Sequence, residues 1–331
     1  MKTAAVIVTY SDRFTFLEKV IISLLKQDIS EIIIVNNNSS ASGSRKMHEF
    51  RAIHKDIISI VDLDKNSGSA VAFNRGVEEA LKIEGIEYIW MLDDDNYTEE
   101  NSFENLKKVY LEIVETEPVD SIVLTSYRTN RDFFFNAVKY KQPELCLGTN
   151  NIFRNFNILD ILKKFTPFTD KKSVETEAIW GEVGSAPFGG MFFHRTLIKK
   201  MGIFDESFVL YFDDAEFSCR VREKGGKLYC ALESRITDLE DSWNTNVFAP
   251  YLFSTSDAHQ KIYYNIRNRV HVEKKYLVTF PPLYILNMMI YVLIVYGISA
   301  YHGNLRNIRT FTAAVIDGLA GRLGYNEKYP L

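Results

Sequence analysis

The chain is poor in the residues that mark several large function classes. Its 331 residues hold three cysteines, Cys146, Cys219 and Cys230, an odd number with no C-x-x-C pair. That spacing argues against a disulfide framework or a zinc knuckle and suits a reducing compartment. Positive charge is not in excess. Against 39 Lys and Arg stand 43 Asp and Glu, so a net charge of −4 offers no broad basic field to nucleic acid. The glycine-rich signatures of P-loop ATPases and of dinucleotide-binding dehydrogenases are both missing. The opening "MKTAAVIVTYSDR" has an apolar run too short for a signal-peptide core and no cleavage site, and it reads as a first strand. Internal repeats and low-complexity tracts are absent from the sequence.

What remains is a regular alternation. Ala4–Thr9 is a short apolar run of the kind buried on both faces of a sheet, and Glu31–Val35 predicts a second strand. Between them, Phe16, Leu17, Val20, Ile21, Leu24 and Leu25 recur at helical spacing. Ile57–Val61, Ile86–Leu92 and Ser121–Thr125 predict three more strands, and a loop at "NSGSAVAFNRG" feeds a further helix. This order predicts an α/β fold, a doubly wound and mostly parallel sheet with right-handed crossovers and flanking helices. Ligands bind such sheets outside the carboxyl ends of the strands, where Thr9, Asn36, Asn66 and Asp93–Asp95 all fall.

Past the fifth strand the pattern loosens. Phe133, Phe134, Phe135, Tyr140, Phe153, Phe156, Phe165, Phe168 and Trp180 follow no clean period. They fit either an irregular insertion over the site that recognises an acceptor or an aromatic subcore under long loops. A helix is predicted to start near Asp214 and to stop at Gly225–Gly226. Leu283–Ala300 carries no charge, follows Pro281–Pro282, and lies between Lys274–Lys275 and Arg306–Arg309. It is at the lower limit of a spanning length, which leaves a membrane-associated helix and a buried core helix as its two readings.

Three consecutive aspartates close the strand "YIWMLDDDN". Like charges so close repel, and alone they would read as a solvated turn. Alternation along a strand points Asp93 and Asp95 the same way and Asp94 elsewhere. Two carboxylates on one side suit a hard divalent cation, Mg²⁺ or Mn²⁺, able to stabilise a departing diphosphate. A second cluster, Asp213, Asp214 and Glu216, opens the downstream helix; it reads as helix capping or as the home of a general base. Asp214 at a helix N-terminus is expected to stay ionised. With "PFGGMFFHR" between them, the two clusters describe nucleotide-diphosphate chemistry on an alcohol.

Taken in order, "VIVTYSDR", "IIIVNNNSS", "NSGSAVAFNRG", "DDD", "GGMFFHR", "FDESFVLYFDDAEFSCRVREKGG" and "YYNIRNR" resemble the landmarks of glycosyltransferase family 2, inverting enzymes of the GT-A fold, over roughly residues 3–270. The resemblance implies a GT-A domain over 1–270, with a nucleotide-binding half at 1–126 and an acceptor half at 127–270, followed by a helical, membrane-associated extension at 271–331. It implies metal binding by Asp93 and Asp95, ribose or sugar contact by Asp94, and a catalytic base at Asp214. Nucleotide-sugar contacts fall to Thr9, Asn36, Asn37 and Asn66, and acceptor contacts to Trp180, Gly189, Gly190 and Asp213. Two departures stand out: Asn36 replaces the family's usual Asp, and Asp238 stands where a metal-ligating His is common. Aspartate is an acceptable oxygen ligand, so Asp238 joins the expected metal set. Within the family, "LDDDN" with "FDDAEFSCR" looks most like the bacterial galactofuranosyltransferases, whose donor is UDP-galactofuranose; rhamnosyltransferases using dTDP-rhamnose share most landmarks. The implied partners are a UDP-sugar, a glycan or lipid-linked glycan acceptor and the inner membrane surface, and the implied location is the cytoplasmic face of the cell membrane. A sugar nucleotidyltransferase would open with a Gly-rich loop and a basic residue after the first strand, which "VTYSDRF" lacks. A non-catalytic sugar-binding protein would not need the Asp213–Asp214 pair.

Overall fold

The computed structural model describes residues 1–163, 175–240 and 249–331. Its first four strands are β1 (Thr3–Ser11), β2 (Glu31–Ser39), β3 (Ile58–Asp62) and β4 (Tyr88–Asp93), linked by helices α1 (Phe14–Leu24), α2 (Ala41–Ile53) and α3 (Ser69–Lys82). They pair in parallel in the order β3–β2–β1–β4. Alternate side chains of β1 enter two different cores, which is why the run is apolar throughout rather than every second residue. Ala4, Val6 and Val8 pack on one face with Ile33, Phe73 and Met91. Ala5 and Ile7 pack on the other with Leu17, Ile34, Trp90 and Leu92. Each fully buried aliphatic side chain stabilises the fold by roughly 1.5–3 kcal/mol. Helix α3 lies so close to the sheet that a Cβ on Gly76 would stand 2.3 Å from Val6 Cγ1.

The chain continues through β5 (Asn96–Thr98), α4 (Ser102–Val114), β6 (Ile122–Arg128), α5 (Asp132–Lys139), α6 (Ile158–Lys163), β7 (Trp180–Glu182), β8 (Met191–His194), α7 (Thr196–Met201), α8 (Asp213–Glu223) and β9 (Lys227–Asp238). The full sheet order is β3–β2–β1–β4–β8–β6–β9–β5, with β7 on β9. Beyond β4 the sheet is mixed. Strand β8 runs antiparallel to both β4 and β6, β6 and β9 are parallel, and β5 and β7 run antiparallel to β9. The expected irregular segment is in part regular: α5 buries Phe134, while Phe153 enters a separate aromatic core. Phe165 and Phe168 lie outside the described residues.

The chain divides into two compact units. The first, Met1–Leu147 with Glu175–Glu206 and Asp214–Glu240, contains the whole sheet. The second gathers Gly148–Val174, Ser207–Asp213 and Asp241–Leu331. The expected boundary at residue 270 falls inside this second unit, because α10 (His259–Val272) shares one core with α9 (Ala249–Thr255), α11 (Pro281–Tyr301) and α12 (Leu305–Ala320). Two prolines in its first turn start α11, where a missing N–H costs nothing. Tyr284, Asn287, Tyr291, Val295 and Ser299 form its buried stripe. Asn287 uses its amide there, accepting from Ile158 N–H at 2.9 Å and donating to the Asn151 carbonyl at 2.9 Å. The opposite flank leaves Ile285, Leu286, Met289 and Leu293 exposed. At 21 residues and a mean hydropathy of 1.9, α11 is long and apolar enough to cross a membrane, and 28% of its most apolar stretch is buried.

Candidate active site

The carboxyl ends of β1, β4 and β6 meet the end of β9 around a group of buried charges. Strand β4 stops at Asp93, Asp94 and Asp95 form a turn, and Asn96 opens β5. Asn96 staples this corner. Its Oδ1 accepts from the Asp93 N–H at 2.9 Å, and its Nδ2 donates to Asp238 at 2.9 Å and to Asp95 at 3.3 Å. Asp94 turns towards β1, where Thr9 Oγ1 donates to it at 2.7 Å and Arg13 Nε serves both its oxygens at 2.8 and 2.9 Å. Arg13 also reaches Asp95 at 3.4 Å and pairs with Glu240. Its guanidinium is set between the rings of Tyr10 and Phe16. On the other side, Arg128 donates to Asp93 at 3.1 Å and pairs with Asp238 at 2.7 Å, while Asn130 donates to Asp238 at 3.0 Å.

Six carboxyl groups, those of Asp93, Asp94, Asp95, Asp214, Asp238 and Glu240, thus face three guanidiniums, Arg13, Arg128 and Arg131. Burial, more than the balance of charge, shows in the acids themselves. Burial lifts Asp94 from 3.8 to about 6 against the pull of Arg13 and Thr9. Burial, then Asp93 and Asp94, lift Asp95 to about 7. Asp214 departs from the expectation of a readily ionised base. The Ala215 N–H does hold it at 2.7 Å, as a helix start should, yet burial outweighs that bond and Arg131 and raises its carboxyl.

Gly189 completes the corner by lacking a side chain. A Cβ there would stand 2.3 Å from Asn96 Oδ1, 2.5 Å from Asp93 Oδ2 and 2.8 Å from an Arg128 nitrogen. Gly190, with φ of +104°, lets the chain turn into β8 while its N–H bonds the Met91 carbonyl at 2.8 Å. Both glycines thus permit close backbone approach at this corner.

A neighbouring network lies at the ends of β2 and β3. Asn36 donates to Asp62 at 2.7 Å, and Asn37 donates to Asn66 at 3.0 Å and accepts from the Ser67 N–H at 2.9 Å. Parallel register sets Asn36 beside Asp62, so the carboxylate that the family carries at position 36 has a counterpart one strand over.

Four further expected residues are engaged within the fold. Asp238 is 1% exposed at its side chain and engages both oxygens with Arg128, Asn96 and Asn130. Asp94 is likewise buried and fully engaged by Thr9 and Arg13. Trp180 donates from Nε1 to Glu112 at 3.0 Å and sets its ring edge-on to Tyr229. Asp213 is buried at the first position of α8. Sequence reasoning missed Arg13, Asn96, Arg128 and Asp62. A signal existed for Arg128, since "SYRTNR" puts two arginines at a strand end that α/β topology directs to the ligand side.

Among the described residues, no three acidic, histidine or cysteine side chains gather in metal-binding geometry by themselves. Asp93 and Asp95, which keep part of their carboxylates accessible, still fit a divalent cation whose remaining ligands would come from substrate phosphates and water.

Residues 5–173, just over half of the chain and the part carrying β2 to β6 and the aspartate triplet, match the family model for glycosyl transferase family 2. No curated protein matches the chain significantly. GalNAc-T7, solved with UDP, GalNAc and Mn²⁺, superposes with a TM-score of 0.54 at 13% identity, over 83% of this chain and 48% of its own. The chain therefore spans about half the length of that enzyme. The mannosyltransferase PcManGT from Pyrobaculum calidifontis, solved with GDP-Man and Mn²⁺, gives a TM-score of 0.54 at 13% identity, over 96% of this chain and 75% of its own. At that identity the likeness is one of fold, the GT-A arrangement, and membership rests on the sequence match: the chain belongs to glycosyl transferase family 2.

Proposed function

We propose that the chain is an inverting, metal-dependent glycosyltransferase that moves a sugar, galactofuranose from UDP-galactofuranose, to a hydroxyl of a growing cell-surface glycan. The observation that carries this reading is the excess of carboxylate over guanidinium at the strand ends, with Asp95 lifted to about 7 and Asp93 beside it. Asp93 and Asp95 would hold Mn²⁺ or Mg²⁺, which when bound supplies positive charge for the departing diphosphate. Arg128, tied to Asp238, keeps Asp93 aimed. Asn37, Asn66 and Asp62 form the nucleoside side. The acceptor oxygen bonds to the anomeric carbon as the bond from that carbon to the diphosphate oxygen breaks, and the acceptor proton passes to the Asp214 carboxylate.

The exposed flank of α11, with the exposed Lys274, Lys275, Arg306 and Arg309 near its two ends, supports a place at the cytoplasmic membrane face. The decisive experiment incubates the full chain with UDP-galactofuranose, UDP-galactose, GDP-mannose or dTDP-rhamnose and Mn²⁺, and follows nucleoside diphosphate release. Release is expected with UDP-galactofuranose and is lost in excess EDTA. Full activity in EDTA refutes the metal role. Asp214→Asn should lower the rate about 10²–10⁴-fold while UDP binding survives.

A further inference from the structure

The turn that follows α10, Glu273–Leu277, and the end of α12 border a cavity of about 270 Å³. Its lining is His271, Lys274, Lys275, Leu319, Ala320 and Gly321, all within the second compact unit. Three of these side chains can carry positive charge and none is acidic. The acids closest along the chain are committed elsewhere. Glu273 is buried, accepting from Arg269 at 2.7 Å and from the Arg154 N–H at 2.9 Å. Asp317 accepts from Arg322 at 2.8 Å and from the Tyr263 hydroxyl at 2.7 Å.

The basic groups are held at the cavity. Lys274 Nζ donates to the Leu319 carbonyl at 2.7 Å, setting an ammonium against the negative end of α12. An ammonium has three donors, so this bond anchors the side chain without using it up. His271 packs against the ring of Phe208, and a Cβ on Gly321 would stand 3.7 Å from its Cε1. Gly321, at φ of +68°, ends α12 in the left-handed form and brings bare backbone beside that imidazole. Basic groups around a concave site with no carboxylate in its lining fit a phosphate. The chain that follows tells which kind. Phe280 and, on α11, Ile285, Leu286, Met289 and Leu293 are exposed. The Tyr284 hydroxyl donates to Glu273 at 3.2 Å, tying the first turn of α11 to the turn that carries both lysines. Basic residues next to an exposed apolar helix flank are the pattern that meets anionic lipid. We propose that this cavity binds the phosphate of an anionic phospholipid headgroup through Lys274 and Lys275. The inference rests on α11 meeting a membrane.

Flotation of the full chain with phosphatidylcholine vesicles, with and without phosphatidylglycerol, tests it. The wild type should float well with the mixed vesicles and poorly with phosphatidylcholine alone. A basic residue near an anionic surface is worth roughly fivefold in partitioning, so Lys274→Gln with Lys275→Gln should weaken it about thirtyfold. Ala320→Gln keeps every charge but fills part of the cavity; it should cost at least about fivefold, since a displaced phosphate loses a lysine contact. Lys274, Lys275 and Ala320 are exposed, so these variants are expected to keep the wild-type thermal midpoint. Unchanged flotation of the lysine variant overturns the proposal. So does unchanged flotation of Ala320→Gln, which would show a diffuse attraction that needs no cavity. Equal flotation of the wild type with both vesicles shows apolar insertion without headgroup recognition and also overturns it. A wild type that floats with neither refutes the membrane reading itself, and this inference falls with it. Calorimetry with inorganic phosphate in the absence of vesicles separates the other source. Phosphate binding that the lysine variant loses, with flotation intact, assigns the cavity to free phosphate and overturns the lipid.

Discussion

Replacing Asp95 with asparagine should make the metal-free protein more stable at alkaline pH. In the folded chain the Asp95 carboxyl is lifted from 3.8 to about 7 by burial and by Asp93 and Asp94. Between those two values the folded state keeps a proton that the unfolded chain has released. The contribution of this proton to stability therefore falls as pH rises through that window and is gone above about 7. The whole shift corresponds to about 4 kcal/mol, and the part between pH 5 and pH 8 to about 3 kcal/mol. The amide introduced by Asp95→Asn has no charge to bury, and its oxygen can still accept from Asn96, which bonds Asp95 at 3.3 Å. Urea unfolding in EDTA at pH 5, 6, 7 and 8 should show Asp95→Asn gaining on the wild type by about 3 kcal/mol across the series. Saturating Mn²⁺ should close the gap, because it binds only the ionised wild-type site. Parallel stability–pH curves for the two proteins would refute the charge reading outright.

Gly189→Ala should be damaging out of proportion to one methyl group, since its Cβ would stand 2.3 Å from Asn96 and 2.5 Å from Asp93. Overpacking of about 1–3 kcal/mol should lower the thermal midpoint by several degrees and abolish Mn²⁺-dependent release. Arg128→Met leaves the buried Asp238 without its main partner, and a loss of about 3–5 kcal/mol in urea unfolding is expected; a loss under about 1 kcal/mol would show that Asn96 and Asn130 suffice. Met289→Glu with Leu293→Glu, on the exposed flank of α11, should end flotation with anionic vesicles while the thermal midpoint stays nearly unchanged. A fall of the midpoint with flotation retained would assign that flank to the interior.

The sequence speaks clearly wherever burial on both faces makes a strand uniformly apolar, as in β1 and β2, and wherever topology sends strand ends to one side. It is silent on strand direction. "MFFH" in β8 would read the same in either sense, yet it runs against both β4 and β6. The hydrophobic third of the chain was legible as one apolar run, but the same run serves as a core stripe on one side and an exposed flank on the other. The seating of Asn287 against Asn151 and Ile158 could not be seen from α11 alone.

The acids divide in the same way, and the division carries the functional argument. Residue type marks an aspartate as an oxygen ligand without telling whether a guanidinium already occupies it. Asp238 and Asp94 are so occupied, by Arg128 and Arg13, partners 110 and 81 residues distant in sequence. Asp93 and Asp95 keep exposed edges, and Asp95 remains hard to ionise even with Arg13 at 3.4 Å. Had stability alone shaped this corner, a neutral residue at this position would serve better, as Asp95→Asn is expected to show. A carboxyl kept at a cost to the empty fold accords with the proposed metal role, in which a cation bearing a diphosphate would offset that cost on binding.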